Sequence, residues 1–224
     1  MPMRPLLLGH RGARGERSIP ENTLASFDRT LAQGCDGFEL DVRLSANGQP
    51  VICHDASVRG IKVAETSSEQ LALPNLRDVL KRYQDIAFLD IELKVEGLET
   101  ITWDLLRRHT PAYGYVVSSF LPDVLQALHD IDATIPLGLI CETRAQLDLW
   151  RELPVLYVIP HHKLVRRKLT HEAHDAGSKV FAWTVNTAQD IRRLADWGAD
   201  GIVSDYPERL VRALGGRSNR RIHK

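Results

Sequence analysis

The sequence predicts an α/β protein: a single (β/α)8 (TIM) barrel with a short β-hairpin excursion after its second strand. Three observations predict it. Eight short apolar runs recur along the 224 residues, at 6–9, 37–42, 87–93, 115–118, 136–140, 155–159, 179–183 and 201–203. Between most of them lie segments with apolar residues at helical spacing, at 24–32, 76–83, 98–107, 124–128, 191–197 and 210–214. The length also fits, since eight strand–helix units take roughly 200–250 residues.

Strand-like runs alternating with helices imply parallel strands joined by crossovers. Closure into a barrel is the economical arrangement, because it needs no extra antiparallel edge and no second domain. An open doubly wound sheet is the rival, but no Gly-x-Gly-x-x-Gly follows any of the runs. Taken in order, the run at 6–9 opens the barrel, and Asn22 is expected to cap the helix starting at Thr23. After the second run, Ser45-Ala46-Asn47-Gly48 precedes a short extended stretch at 51–53. Asn-Gly between extended runs signals a hairpin, because both residues tolerate positive φ. That hairpin brings His54 and Asp55 back towards the strand ends. Residues 1–214 are expected to form the barrel domain and 215–224 a basic, frayed tail.

With 43% hydrophobic residues the chain can bury a sizeable core, and 29 basic against 29 acidic residues give a net charge of zero. Nothing global therefore favours a nucleic-acid or anionic-membrane partner. Three widely spaced cysteines, Cys35, Cys53 and Cys141, suit buried thiols in a reducing compartment better than a disulfide framework. The opening residues lack the long apolar core of a signal peptide, and no run is long enough for a membrane span. These features lead to an expected cytoplasmic location, with no membrane insertion. Oligomeric state is not written in the sequence.

Active sites of such barrels are assembled from the carboxyl ends of the strands. Those ends carry His10-Arg11, then Glu39 and Asp41, then Asp90, Glu92 and Lys94. Residues two apart on a strand share a face, so Glu39 pairs with Asp41 and Glu92 with Lys94; neighbouring strands lie about 4.8 Å apart. Three carboxylates then converge, with a lysine beside them. Buried carboxylates at that density demand a compensating cation, and an all-oxygen ligand set suits Mg²⁺, Ca²⁺ or Mn²⁺ better than zinc. Each fragment alone has an ordinary explanation: Glu-x-Asp as a solvated strand face, His-Arg-Gly as a turn, Asp55 as a turn cap. Their joint placement at one end of the sheet is what argues for a site. Periodicity alone does not choose between Asp90 and Glu92.

His10-Arg11-Gly12, followed by Pro20-Glu21-Asn22-Thr23 and Phe27, resembles the opening motif of the glycerophosphodiester phosphodiesterase family. Glu39-Leu40-Asp41-Val42 with His54-Asp55, and then Glu92-Leu93-Lys94, are similar to its second and third motifs. Ser118-Ser119-Phe120, Ala182-Trp183-Thr184-Val185-Asn186 and Asp200-Gly201-Ile202 extend the likeness over nearly the whole chain. The resemblance implies a barrel that hydrolyses glycerophosphodiesters to an alcohol and sn-glycerol 3-phosphate with one divalent cation. It implies Glu39, Asp41 and Glu92 as metal ligands and His10 and His54 as the acid–base pair. Arg11 and Lys94 become phosphate binders, and Trp183 either lines the alcohol pocket or simply fills the barrel.

Family members often carry a longer insertion after the His-Asp motif than the stretch at 56–74 here. The shorter segment leads to an expectation of a small, water-soluble substrate with loose head-group selectivity. Two rivals follow: a lysophospholipase D or phospholipase-D-like activity on a lipid diester, and a catalytically silent barrel that binds phosphodiesters.

Overall fold

The computed structural model describes residues 4–216. In chain order the elements are β1 (Leu6–Gly9), α1 (Leu24–Ala32), β2 (Gly37–Leu44), β3 (Pro50–Ile52), β4 (Ser57–Val58) and β5 (Ile61–Lys62). After a 3-10 turn at Val63–Glu65 come α2 (Ser68–Leu71), α3 (Leu76–Tyr83), β6 (Phe88–Leu93), α4 (Glu99–Arg108), β7 (Tyr115–Ser119) and α5 (Pro122–Ile131). The chain continues through β8 (Leu137–Cys141), α6 (Arg144–Asp148), β9 (Tyr157–Pro160) and α7 (Arg167–Asp175). It ends with β10 (Lys179–Ala182), α8 (Ala188–Asp196), β11 (Gly201–Ser204) and α9 (Pro207–Leu214). The basic stretch at 217–224, the body of the expected tail, lies outside the described residues.

The strands run in the order β1-β11-β10-β9-β8-β7-β6-β2-β3, and a further β1–β2 pairing closes the ring. The eight ring strands are parallel to their neighbours, which is the expected barrel and not an open doubly wound sheet. Alternation sorts the side chains. Leu7 and Ile202 face outwards onto Ile191, Leu194 and Leu210, whereas their neighbours Leu8 and Val203 face the interior with Val116, Ile140, Ile159 and Phe181. β2 enters the ring hard against β6: a Cβ on Gly37 would lie 1.8 Å from the Phe88 carbonyl oxygen, so only glycine fits.

β3 pairs antiparallel with β2, so the hairpin excursion is present. Its loop is longer than a two-residue turn, closing through Ser45 N donating to Gln49 O at 3.0 Å, and only Gly48 takes positive φ (71°). Asn47 works through its side chain instead, accepting from Ser45 Oγ at 2.8 Å and from Ser68 N at 3.0 Å. The segment that follows builds a small satellite core in which Val63 and Leu71 pack on Val51 and Cys53. Three helices escaped the periodicity reading, the four-residue α2 among them. α7 buries only Leu169, Thr170 and Ala173, and α6 has five residues, so neither carries a long apolar stripe. No helix among the described residues is long and apolar enough to cross a membrane.

Candidate active site

The β2–β6 register sets Asp41 opposite Glu92 and Glu39 opposite Asp90. One ligand atom from each of Glu39, Asp41 and Glu92 comes within 4.8 Å of the others, and all three side chains are buried. Asp90 is spent elsewhere, accepting a 2.6 Å hydrogen bond from Ser118 Oγ. Among the described residues, Glu39 Oε1 and Asp41 Oδ1 are buried without a hydrogen-bond partner. Carboxylate oxygens left without a hydrogen bond are rare in a folded interior, and Asp41 Oδ1 has only the Lys94 ammonium, 3.5 Å away.

The electrostatics follow from crowding. Burial and the neighbouring charges of Asp41, Glu92 and Asp90 push Glu39 well above the usual carboxylate range. Burial and Asp41 raise Glu92 to about 8, and burial raises Asp90 to about 7. Asp41 is the exception. Burial pushes it up as well, but Arg11, Lys94 and the Asn22 amide outweigh that and hold it below its ordinary value.

His10 and Arg11 extend from the end of β1 into the same space. Arg11 sits at φ 50°, followed by Gly12 at φ 81°, a left-handed pair that turns the Arg11 backbone N–H onto Glu39 Oε2 at 2.8 Å. Its guanidinium donates to Glu21 at 2.7 Å and lies 3.2 Å from Asp41 Oδ2, the latter as an ion pair without hydrogen-bond alignment. His10 Nδ1 is 2.7 Å from Asp205, leaving Nε2 3.9 Å from Glu39. Burial lowers the His10 imidazole below its ordinary value, with Asp205 opposing.

The expected role of Asn22 is corrected. Thr23 is the cap of α1, its side chain accepting from Ser26 N, and the helix begins at Leu24. Asn22 instead sits at φ 57° and donates from Nδ2 to Asp41 Oδ2 at 2.8 Å, while its Oδ1 accepts from Asp41 N at 3.3 Å. A polar residue able to adopt the left-handed region, one step before a threonine cap, is the signal that separates the two roles.

β3 returns the chain to the site: Cys53 N donates to Asp41 O at 3.0 Å, placing His54 next to the strand end. His54 Nδ1 is 2.7 Å from Asp55, whose side chain is 77% exposed. Asp55 thus orients the imidazole. Lys94 Nζ lies 2.6 Å from Glu92 and 3.5 Å from Asp41, and 5.7 Å over the Phe120 ring. Trp183 donates its indole N–H to Ile159 O at 2.9 Å and meets Phe120 and His161 edge-on, each at 5.6 Å. His10, Arg11, Glu39, His54, Glu92, Lys94 and Trp183 all line one cavity of about 330 Å³, and Asp41 sits beneath it. The residues that reading the strand ends missed are Asp205, one position beyond β11, and Glu21, which holds Arg11.

A closed parallel barrel with carboxylates, imidazoles and cations on one mouth cavity defines a barrel enzyme for a charged, oxygen-rich substrate. The sequence profile described as "Glycerophosphoryl diester phosphodiesterase family" matches residues 10–101 and 93–209, and the chain belongs to that family. It is a phosphoric diester hydrolase. YhdW of Bacillus subtilis (strain 168) is 30% identical over 92% of this chain and 96% of its own length. A glycerophosphodiester phosphodiesterase of Caldanaerobacter subterraneus subsp. tengcongensis is 27% identical over 93% of this chain and 97% of its own. Among solved structures, an Oleispira antarctica phosphodiesterase in complex with the product sn-glycerol-3-phosphate superposes with a TM-score of 0.81. It is 27% identical and is covered over 94% of this chain and 96% of that one.

Proposed function

We propose that the protein hydrolyses small glycerophosphodiesters to an alcohol and sn-glycerol 3-phosphate, with one divalent cation held by Glu39, Asp41 and Glu92. The observation that carries this reading is the pair of orphaned buried oxygens, Glu39 Oε1 and Asp41 Oδ1, inside a triad of carboxylates. Three anionic oxygens and no sulfur or nitrogen fit a hard ion, Mg²⁺, Ca²⁺ or Mn²⁺. When bound, such an ion neutralises phosphoryl oxygens and activates a hydroxyl as nucleophile.

The chain's own groups supply the rest. Arg11 and Lys94 place fixed positive charge beside the triad, where they hold the phosphate diester monoanion. His10 and His54 divide the proton work, one taking a proton from the attacking hydroxyl and the other delivering one to the leaving oxygen. Both line the cavity, and each has its Nδ1 engaged by a carboxylate. Trp183, Phe120, Ile140 and Ile159 give the alcohol an apolar wall. The small cavity and the short segment after His54 favour a soluble substrate over a lipid. We also place the protein in the cytoplasm, since its three cysteines are buried and unbonded.

Glycerophosphocholine and lysophosphatidylcholine, assayed side by side with and without excess EDTA, test the reading. Hydrolysis of the first, weak action on the second and loss of both in EDTA agree with it. Full activity in EDTA removes the cation, preference for lysophosphatidylcholine assigns a lysophospholipase D, and binding without turnover assigns a silent barrel.

A further inference from the structure

The first and last ring strands meet at the seam where the barrel closes. β1 and β11 are in register with Gly9 opposite Ser204, and His10 N donates to Ser204 O at 2.8 Å. The next residues on the two chains, His10 and Asp205, are thereby set side by side although 195 positions apart in sequence. His10 Nδ1 lies 2.7 Å from Asp205 Oδ1, and both residues are buried.

The carboxylate is itself clamped. Arg14 reaches the same oxygen at 3.2 Å, and Asn186 Nδ2 donates to the other at 2.7 Å. Asn186 cannot turn over, because its Oδ1 already accepts from Asp205 N and from Ser204 Oγ, each at 3.0 Å. We infer that Asp205 is a positioning residue that holds the His10 ring with its proton on Nδ1, so that Nε2 is the atom presented to the phosphodiester. The inference rests on the proton-transfer role proposed above for His10. An ionised carboxylate only accepts, so the nitrogen facing it must donate, and the neutral ring then keeps its lone pair on Nε2.

The clamp makes Asp205→Asn a sharp probe. The new amide has one oxygen and one NH₂ to distribute between Asn186 and His10. Asn186 offers a fixed donor, so the amide oxygen turns to it. The NH₂ then faces His10 Nδ1, displacing the Arg14 guanidinium, whose side chain is 42% exposed and keeps its 2.7 Å hydrogen bond to Glu21. A donor facing Nδ1 forces the ring proton onto Nε2, the wrong tautomer. In a Ser-His-Asp enzyme the same exchange lowers kcat about 10⁴-fold.

Two readouts test the inference on the Mg²⁺-loaded protein with glycerophosphocholine. The expected kinetic result for Asp205→Asn is a kcat lower by about 10²–10⁴-fold with KM within about threefold, because a tautomer is lost and not a substrate contact. The second readout is the ¹⁵N chemical shifts of the histidine rings, with the His10 signals identified by their absence in His10→Ala. At a pH where the ring is neutral, the natural protein should show a protonated Nδ1 and a bare Nε2, and Asp205→Asn the reverse. If Asp205→Asn does not fold, Asn186→Ala frees one side of the clamp. It should lower kcat by a smaller factor, about tenfold, and leave the tautomer unchanged.

A protonated Nε2 in the natural protein overturns the inference. So does near-normal kcat in Asp205→Asn while His10→Ala is inactive, and that pattern leaves the function reading standing. Full kcat in His10→Ala overturns the function reading itself, whatever Asp205→Asn does.

Discussion

Around the mouth of the barrel, the end of β1 and strands β2 and β6 contribute His10, Glu39, Asp90 and Glu92, whereas β8, β9 and β11 contribute Ile140, Ile159 and Val203 to the same cavity. Deeper on the apolar side, Phe181 meets the Phe88 and Tyr157 rings at 5.8 Å and 4.9 Å. One side therefore holds charges that repel each other, and the other holds packed hydrocarbon. A folded domain has only about 5–15 kcal/mol of net stability, so a cluster of buried carboxylates is tolerated where surrounding packing offsets it. The difference teaches that perturbing the two sides should separate activity from stability.

The largest expected effect is on activity alone. Glu92→Gln should reduce kcat/KM by about 10⁴-fold, roughly 5.4 kcal/mol of lost transition-state stabilisation. The metal-free melting temperature should stay level near neutral pH and rise in alkali, because burial and the Asp41 charge raise this carboxyl to about 8 and the amide never has to ionise. A melting temperature that falls sharply together with activity would erase the division between the two sides.

Next come the histidines. His10→Ala and His54→Ala should each lose on the order of 10³-fold on a natural diester. The variant lacking the general acid should recover partly on a p-nitrophenyl ester, whose leaving group needs no proton. Equal impairment of both variants on both substrates would refute the division of labour between the rings.

On the apolar side the sign reverses. Phe181 is fully buried, and Phe181→Ala should destabilise by about 3–5 kcal/mol. Chemical denaturation measures that loss, while kcat per folded molecule should hardly move. A hundredfold fall in kcat of the folded fraction would mean that the plug shapes the site as well.

The pH dependence of stability sharpens the same contrast. Glu92 at about 8 and Asp90 at about 7 are both raised by burial above their ordinary 4.5 and 3.8. A raised carboxyl binds its proton more tightly folded than unfolded. Its contribution is therefore complete in mild acid and lost as pH climbs through the folded value. In EDTA the melting temperature should decline between about pH 5 and 9, and Glu92→Gln should flatten part of that slope. Asp205 acts oppositely: burial pushes it up, but the His10, Asn186 and Arg14 contacts hold it below its ordinary value. Its contribution is present at neutral pH and disappears as acid protonates it, which Asp205→Asn should abolish. A flat profile in EDTA from mild acid to alkali would show that the carboxylates are not crowded.

The smallest effect concerns the head group. The apolar wall offers shape with little charge, Glu142 being its exposed acidic exception. Glycerophosphocholine and glycerophosphoethanolamine should differ by less than about tenfold in kcat/KM, or roughly 1.4 kcal/mol. A hundredfold preference would reveal a head-group contact that the open wall does not suggest.

The eight ring strands and most helices were legible in the chain because their signals are local: apolar runs of strand length and helical spacing between them. Alternation and strand adjacency likewise drew Glu39, Asp41 and Lys94 together with Asp90 and Glu92, while the choice of Glu92 over Asp90 came from the likeness to the family motif. α6 was not legible by spacing, because its five residues carry no stripe; its start is marked instead by the Thr143–Gln146 capping box. Nor was α7, because it packs through two apolar side chains and a threonine.

The class of fold and the convergence of carboxylates were readable from neighbours in the chain and on consecutive strands, and the roles of the carboxylates and the two histidines from motifs shared with the family. It took the folded chain to show that Asn22 braces Asp41 and does not cap a helix: at φ 57° its amide meets Asp41, while Thr23 supplies the cap. Only closure of the ring joined His10 to Asp205. No local pattern encodes that contact, since its 195-residue separation is bridged by hydrogen bonding between the first strand and the last.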